Sequence, residues 1–221
     1  MLSRWVLHME GNALEVVVIA LFVLQLAIIG WLGIQYDNVI YMANRDIPTD
    51  LYNRRYTMQR LPLILQRAKR GNRPVTILMI DANDLKWVND TYGHLAGDEG
   101  IRQLIRVLRT CSGPDAVIGR LGGDEFVAIY PGCDLSDGEI IVQSIHHALA
   151  LPSPGLKWGL TVSIGIAVYP RDGEDSTRLL KVADERMYRE KEHYHVHCPR
   201  KADPNNSGSD KRSDCRHFTI P

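Results

Sequence analysis

Apolar positions are densest near the N-terminus. From Val16 to Ile34 no residue is charged and only Gln25 is strongly polar. A helix rising about 1.5 Å per residue over that stretch can cross a hydrocarbon core of about 30 Å. Trp5, Trp31 and Tyr36 fall near its two ends, where interfacial aromatics sit. A secretory signal would have a shorter apolar core, about 7–15 residues, followed by a small-residue cleavage site. Trp31-Leu32-Gly33-Ile34-Gln35-Tyr36 offers no such site. The pattern therefore predicts a short leader over 1–12 and an uncleaved transmembrane helix over 13–35. The leader has Arg4, whereas Arg45, Arg54, Arg55, Arg60, Arg67, Lys69 and Arg70 follow the span. That asymmetry puts the C-terminal side in the cytoplasm. The leader is too short to be a sensor, so a membrane sensor partner is expected. Gln25, near mid-membrane, either bonds a partner helix or is a tolerated lone amide.

Beyond the span the periodicity changes repeatedly. A stalk over 36–48 leads into a helix capped by Thr49 or Asp50 and running to about Arg70, with Pro62 kinking or restarting it. Val75–Ile80 is a continuous apolar run, read as a strand buried on both faces and ending at Asp81. Ile101, Leu104, Ile105 and Leu108 give helical spacing over 95–108. Val117–Leu121 and Phe126–Tyr130 flank Gly122-Gly123 as a hairpin. Helices over 137–149 and 176–193 bracket a strand over 160–169. This order predicts an α+β fold: a central, mostly antiparallel sheet flanked by helices. The domain is placed at 49–195, and a disordered tail at 196–221.

Composition narrows the partners. Lys and Arg together number 26, as do Asp and Glu, so the net charge is zero and no basic face for nucleic acid is expected. Cys111, Cys133, Cys198 and Cys215 show no CxxC spacing and read as reduced thiols.

Chemistry concentrates in two places. Arg120-Leu121-Gly122-Gly123-Asp124-Glu125-Phe126 reads as a tight glycine turn followed by paired acids and a buried strand. A solvated acidic hairpin with no ligand is the other reading. If that hairpin lies beside the Val75–Ile80 strand, Asp81, Asp124 and Glu125 converge, and a hard cation such as Mg²⁺ relieves their repulsion. The second cluster runs from Asp81 to Asp98. Lys86 can reach a phosphate as a point charge, and the N–H groups of 82–86 can cradle phosphate oxygens. Asn89 and Asp98 suit guanine, whose N1–H and N2–H₂ donors a carboxylate accepts together. Alternatively Asn89, Asp90 and Asp98 cap the following helix, the reading preferred for Asp90.

In register, these strings resemble the GGDEF family of diguanylate cyclases. Its pattern is D-x-D-x-F-K-x-x-N-D-x-x-G-H-x-x-G-D, then R-x-G-G-[DE]-E-F, S-x-G-[IV]-A and A-D-x-x-[LM]-Y-x-x-K. This chain matches at Asp81, Lys86, Asn89, Asp90, Gly93, His94, Gly97, Asp98, Arg120–Phe126, Ser163–Ala167, Ala183-Asp184, Met187-Tyr188 and Lys191. Asp46–Arg55 is similar to the opening D-x-L-T-G-L-x-N-R-R. The resemblance implies a nucleotide-cyclase-like domain that condenses two GTP into cyclic di-GMP and two pyrophosphates as a homodimer. It implies Asp81, Asp124 and the Ala82 backbone on Mg²⁺, with Mn²⁺ able to substitute, and Glu125 assisting the metals or deprotonation of the ribose 3′-OH. It further implies Asn89 and Asp98 on guanine, Lys86 and Lys191 on phosphates, and the Leu85 backbone and His94 at the substrate. With the anchor, it places the protein in a bacterial inner membrane, single-pass, with the bilayer as a partner. A weak or inactive module that binds GTP or a membrane partner is the alternative.

Several positions depart from the pattern. Ala82, Asn83 and Leu85 replace a larger apolar residue, an Asp and a Phe, and Pro48 and Asp50 replace Leu and Gly. The family's last helix ends Lys-x-x-Gly-Arg; here the string is Lys191-Glu192-His193-Tyr194-His195, so an imidazole stands in for a guanidinium. The inhibitory Arg-x-x-Asp is absent, with Gly113 and Ala116 in its place. His193, His195, His197 and Cys198 alternate, but without a second spaced pair they read as a solvated tract rather than a zinc site.

Overall fold

The computed structural model describes residues 2–151 and 158–197, with side chains from residue 15 onward. The chain divides into two units, 1–44 and 45–221. The first is one helix, α1 (Leu2–Asn44). Its apolar side chains from Val16 to Ile34 are exposed, and Glu15–Asn44 is long and apolar enough to cross a bilayer. The helix includes 36–44, most of the predicted stalk.

The second unit holds β1 (Arg45–Asp46), β2 (Leu51–Asn53), α2 (Arg54–Gly71), β3 (Val75–Ala82), α3 (Leu85–Tyr92), α4 (His94–Cys111), β4 (Val117–Arg120), β5 (Glu125–Pro131), α5 (Leu135–Ala150), β6 (Val162–Tyr169) and α6 (Ser176–His197). The strands lie in the order β1-β2-β4-β5-β3-β6. Among the described residues only β2 and β4 pair in parallel; the other neighbours are antiparallel.

Every residue of β3 is buried, as its unbroken apolar run predicts. Alternate side chains serve two cores. Val75, Ile77 and Met79, with Val127 and Ile129, pack under Leu61 and Leu65 of α2 and Leu179, Ala183 and Met187 of α6. Leu78, Ile80 and Phe126 face Val88 of α3, Leu104 and Leu108 of α4 and Ile145 of α5. Full burial of each such side chain contributes about 1.5–3 kcal/mol. The signature-bearing strand is thus clamped between two layers, which fixes where its first residues emerge.

Four boundaries differ from the sequence reading. Thr49 and Asp50 do not cap α2; Asn53 does, accepting from the Tyr56 N–H at 2.9 Å. The Thr49 hydroxyl instead donates to Asp46, and Asp50 takes a left-handed turn that lets Asp46 pair with Leu51. Two short strands occupy the place of a helix start. The helix runs through Pro62 without a new start. The segment after Asp81 is not all turn: it forms α3, which Gly93 at φ 86° reverses into α4. Lastly, α6 continues to His197, so Val196 and His197 are helical rather than tail. Residues 198–221, the rest of the predicted tail, lie outside the described residues.

β6 is an edge strand, and α6 together with the turn before it satisfies its outward backbone groups. Glu190 accepts the Ile164 N–H at 2.6 Å, Arg186 donates to the Ile166 carbonyl at 2.6 Å, and Asp172 accepts the Val168 N–H at 2.8 Å. Covering the edge removes a template for pairing with another chain. Burial pushes the Glu190 carboxyl up to about 7, although the Ile164 N–H favours its charged form. The His146 imidazole, 3.7 Å away, is itself held down by burial. A folded pKa above the ordinary 4.5 means that the folded state holds this proton more tightly. That stabilisation is complete below pH 4.5 and is lost as pH rises to about 7. Glu190→Gln, whose amide oxygen can still accept from Ile164, should therefore raise stability at pH 8 by roughly 1–3 kcal/mol. The gain should shrink toward pH 5. Thermal denaturation at both pH values checks this; an equal shift at the two would contradict it.

Candidate active site

The site forms where β3 ends. Asp81 lies between Glu125 of β5 and Ser163 of β6 in the sheet register, and its side chain belongs to the face covered by α6. It is only 4% exposed. Its Oδ1 accepts from Lys191 Nζ of α6 at 2.7 Å. The next peptide ties the signature turn to this strand end, because the Ala82 N–H donates to the Asp124 carbonyl at 3.0 Å. Burial pushes the Asp81 carboxyl above its ordinary range; the Lys191 bond and charge oppose this, Asp124 pushes it further up, and His195 draws it down. Asp124 and His195 are therefore both within electrostatic reach of Asp81.

The turn is held from inside. Arg120 donates to the carbonyls of Gly122 (3.0 Å) and Gly123 (2.7 Å) and reaches Asp46 Oδ2 at 3.2 Å. The Leu121 N–H closes onto the Glu125 carbonyl at 2.8 Å. Neither Gly122 nor Gly123 has a positive φ, so left-handed backbone is not why glycine stands there. A Cβ on Gly122 would come 3.1 Å from the Glu125 carboxylate, whereas one on Gly123 would project into open space. The two glycines leave the mouth of the turn bare, which allows a ligand to approach the backbone closely.

The turn after Asp81 is fixed by Asn83. This buried amide accepts from the Ser163 hydroxyl at 2.9 Å and donates to Thr161 Oγ1 at 3.4 Å. A carboxylate cannot donate, so the amide suits this dual partnership where the family pattern has Asp. Asp84 is left-handed at φ 58° and accepts from the Tyr194 hydroxyl at 3.0 Å. Lys191, Tyr194 and His195, spaced i, i+3 and i+4, lie on one face of α6.

Between α3 and α4, the Asn89 amide lies directly over Gly97; a Cβ there would meet Asn89 Oδ1 at 2.0 Å. Gly97 thus brings Asn89 beside the α4 turn that carries Asp98. Asn89 is half-buried, while Lys86, His94 and Asp98 are exposed. Asp90 does not cap α4: it lies inside α3, and the Gly93 start of α4 has no side-chain cap bond.

The three carboxylates do not converge as expected. Among the described residues, no group of three or more His, Cys, Asp or Glu stands close enough together to hold a metal. Glu125 is exposed, with its carboxylate turned toward Gly122, and Lys191 occupies Asp81. The remaining donors still suit a small hard cation, which takes one or two carboxylates and completes its shell with water and substrate phosphate. Asp81 and Asp124 would supply the carboxylates, and the bare Gly123 edge leaves room for phosphate.

The protein-family model "Diguanylate cyclase, GGDEF domain" matches residues 43–195. The chain belongs to the GGDEF family. Response regulator PleD of Caulobacter vibrioides is 37% identical over 162 residues, covering 70% of this chain and 35% of PleD. "Probable diguanylate cyclase DgcC" of Escherichia coli is 37% identical over 154 residues, covering 68% and 41%. The chain thus spans well under half the length of these relatives. The solved GGDEF domain of PA1120 from Pseudomonas aeruginosa is 31% identical, with a TM-score of 0.65 over 67% of this chain and 89% of that one. The mixed sheet flanked by helices is the GGDEF fold.

Of the residues around the GGDEF turn, Asn83, Ser163 and Tyr194 were not anticipated as its scaffold. Ser163 had a signal in its motif, and Tyr194 in the helical spacing from Lys191. The bond between Asn83 and Ser163 joins residues far apart in sequence and has no local signature.

Proposed function

We propose that the chain is a membrane-anchored diguanylate cyclase that condenses two GTP into cyclic di-GMP and two pyrophosphates, with Mg²⁺, as a homodimer. The observation that carries this reading is the pairing of β3 and β5, which sets the strand-end carboxylate Asp81 beside Asp124 of an intact signature turn. The GGDEF match and the similarity to the probable diguanylate cyclase DgcC support the same reading.

In this reading Asp98 accepts the N1–H and N2–H₂ donors of guanine while Asn89, steadied over Gly97, bonds the base edge. Lys86 and Lys191 hold phosphates, with the Leu85 backbone and His94 at their side. Asp81, Asp124 and the Ala82 backbone would hold Mg²⁺ (or Mn²⁺), which when bound would supply charge to offset that developing on the transferring phosphoryl group. Glu125, exposed at the turn, accepts the proton of the ribose 3′-OH. The 3′-oxygen then bonds to the α-phosphorus of the GTP on the partner copy, and the bond from that phosphorus to the bridging oxygen of pyrophosphate breaks. A second such transfer closes the ring. Each copy supplies half of the site, so positioning across the dimer is the main contribution of the protein.

The helix α1 anchors the chain in a bacterial inner membrane, single-pass, with the domain in the cytoplasm. It also brings two copies together and meets a membrane sensor partner. His195 at the expected arginine position favours a second reading, a GTP-binding module with weak turnover. Incubating the full chain in liposomes with GTP and Mg²⁺ tests the proposal: cyclic di-GMP should form, and ATP should give no dinucleotide. Bound GTP with no product would favour the second reading.

Regulation should differ from the pattern. Residues 113–116 form a turn closed by the Ala116 N–H on the Gly113 carbonyl at 3.1 Å, with neither Arg nor Asp at the inhibitory positions. Added cyclic di-GMP should therefore leave the initial rate within about twofold. A steep fall that Asp115→Ala abolishes would contradict this.

A further inference from the structure

Lys191 and Asp81 form an ion pair in the place where the cation is expected. Asp81 is nearly fully buried, and an uncompensated charge there is costly. The Lys191 ammonium compensates it at 2.7 Å, and the lysine side chain as a whole is 29% exposed. A divalent ion bound to the same carboxylate would sit against that ammonium and repel it. The helix carrying Lys191 is fixed at several points. Tyr194, where the family pattern has Gly, donates to Asp84 one turn on. Glu190, the preceding residue, bonds the Ile164 N–H. Upstream, Gly165 lets the α6 backbone lie directly on β6. Relief must come from the lysine side chain alone, whose four-carbon stem is flexible. The side chain is part-exposed, so the ammonium can leave Asp81 without opening the core.

We propose that Lys191 is the resident counter-ion of Asp81 in the nucleotide-free protein, and that a divalent cation takes its place only as the ammonium transfers to the phosphates of an arriving nucleotide. The inference rests on the reading of Asp81 and Asp124 as cation ligands and of GTP as the nucleotide. Its consequence is linkage: cation alone binds weakly, and cation and nucleotide enter together. Asp124 and His195 are the other charged or titratable groups acting on Asp81. Tyr194 acts through the helix as a positioning residue, keeping Lys191 within reach of both positions.

The test is Mn²⁺ binding to the full chain in detergent micelles without nucleotide, read from the amplitude of the free-ion electron paramagnetic resonance signal. Wild type and Lys191→Arg should bind Mn²⁺ weakly. Lys191→Met should bind it at least tenfold more tightly and hold a non-hydrolysable GTP analogue with Mg²⁺ at least tenfold less tightly. Equal or weaker Mn²⁺ binding by Lys191→Met overturns the proposal, and so does tight binding by Lys191→Arg. A measurement on wild type stands independently of whether Lys191→Met folds. The Lys191 ammonium should give a ¹⁵N–¹H resonance that Mg²⁺ alone leaves in place and that Mg²⁺ with the GTP analogue shifts; displacement by Mg²⁺ alone overturns the proposal. If instead the GTP reading fails, wild type binds no analogue, yet the Mn²⁺ difference between wild type and Lys191→Met persists. That outcome supports the counter-ion role.

Discussion

Asp124→Ala should lower cyclic di-GMP formation by roughly 10²–10³-fold, the scale of removing one preorganised electrostatic group from a reacting phosphoryl centre. The fold should survive. Asp124 is only half-buried, and its bond to Ala82 uses the backbone carbonyl, which alanine keeps. The substitution removes one carboxylate beside Asp81 and leaves the turn held by Arg120. Product quantified by chromatography, with a thermal melt as control, checks the prediction. Wild-type product from a folded Asp124→Ala chain would remove this residue from the metal assignment.

The largest stability effect is expected at Gly165. A Cβ there would come 1.9 Å from the Ala183 carbonyl oxygen and 2.4 Å from the Met187 nitrogen. Both are backbone atoms of α6, so no side-chain rotation relieves the overlap. The helix must lift from β6, loosening Leu179, Ala183 and Met187 from the core they share with β3. Gly165→Ala should cost about 3 kcal/mol, at the upper end for overpacking. In a domain of this size the melting temperature should fall by roughly 6–12 °C. The same displacement carries Lys191 away from Asp81, so activity should fall further than the folded fraction alone accounts for. Denaturant titration and product formation, measured on the same sample, separate the two effects.

Both predictions arise from motif residues, yet the motifs do not show why those residues are needed. The strand Val75–Ala82 was legible because both its faces are buried, and the hairpin because two apolar runs flank a turn. The pairing of β3 with β5 then follows, and with it the meeting of Asp81 and Asp124. What stayed hidden depends on contacts distant in sequence. Thr49 was available as a helix cap, but the Asp46–Leu51 pairing and the Asp46–Arg120 ion pair claim that segment for the sheet. Glu125 follows Asp124 directly, yet its side chain turns to Gly122, because antiparallel register fixes the strand but not the rotamer. Lys191 was expected on phosphate; its hold on Asp81 depends on how closely α6 lies on β6, which Gly165 sets. The string Gly113–Ala116 and the substitutions at Tyr194 and His195 were visible from the start, and only the helical extension to His197 puts Tyr194 onto Asp84.

The most direct test of the account is the stoichiometry of the reaction run by the full chain in liposomes with GTP and Mg²⁺. Two pyrophosphates should appear for each cyclic di-GMP, at a rate rising more steeply than linearly with the surface density of the chain, because each copy supplies half of the site. GTP bound tightly with no dinucleotide released at any density would contradict it.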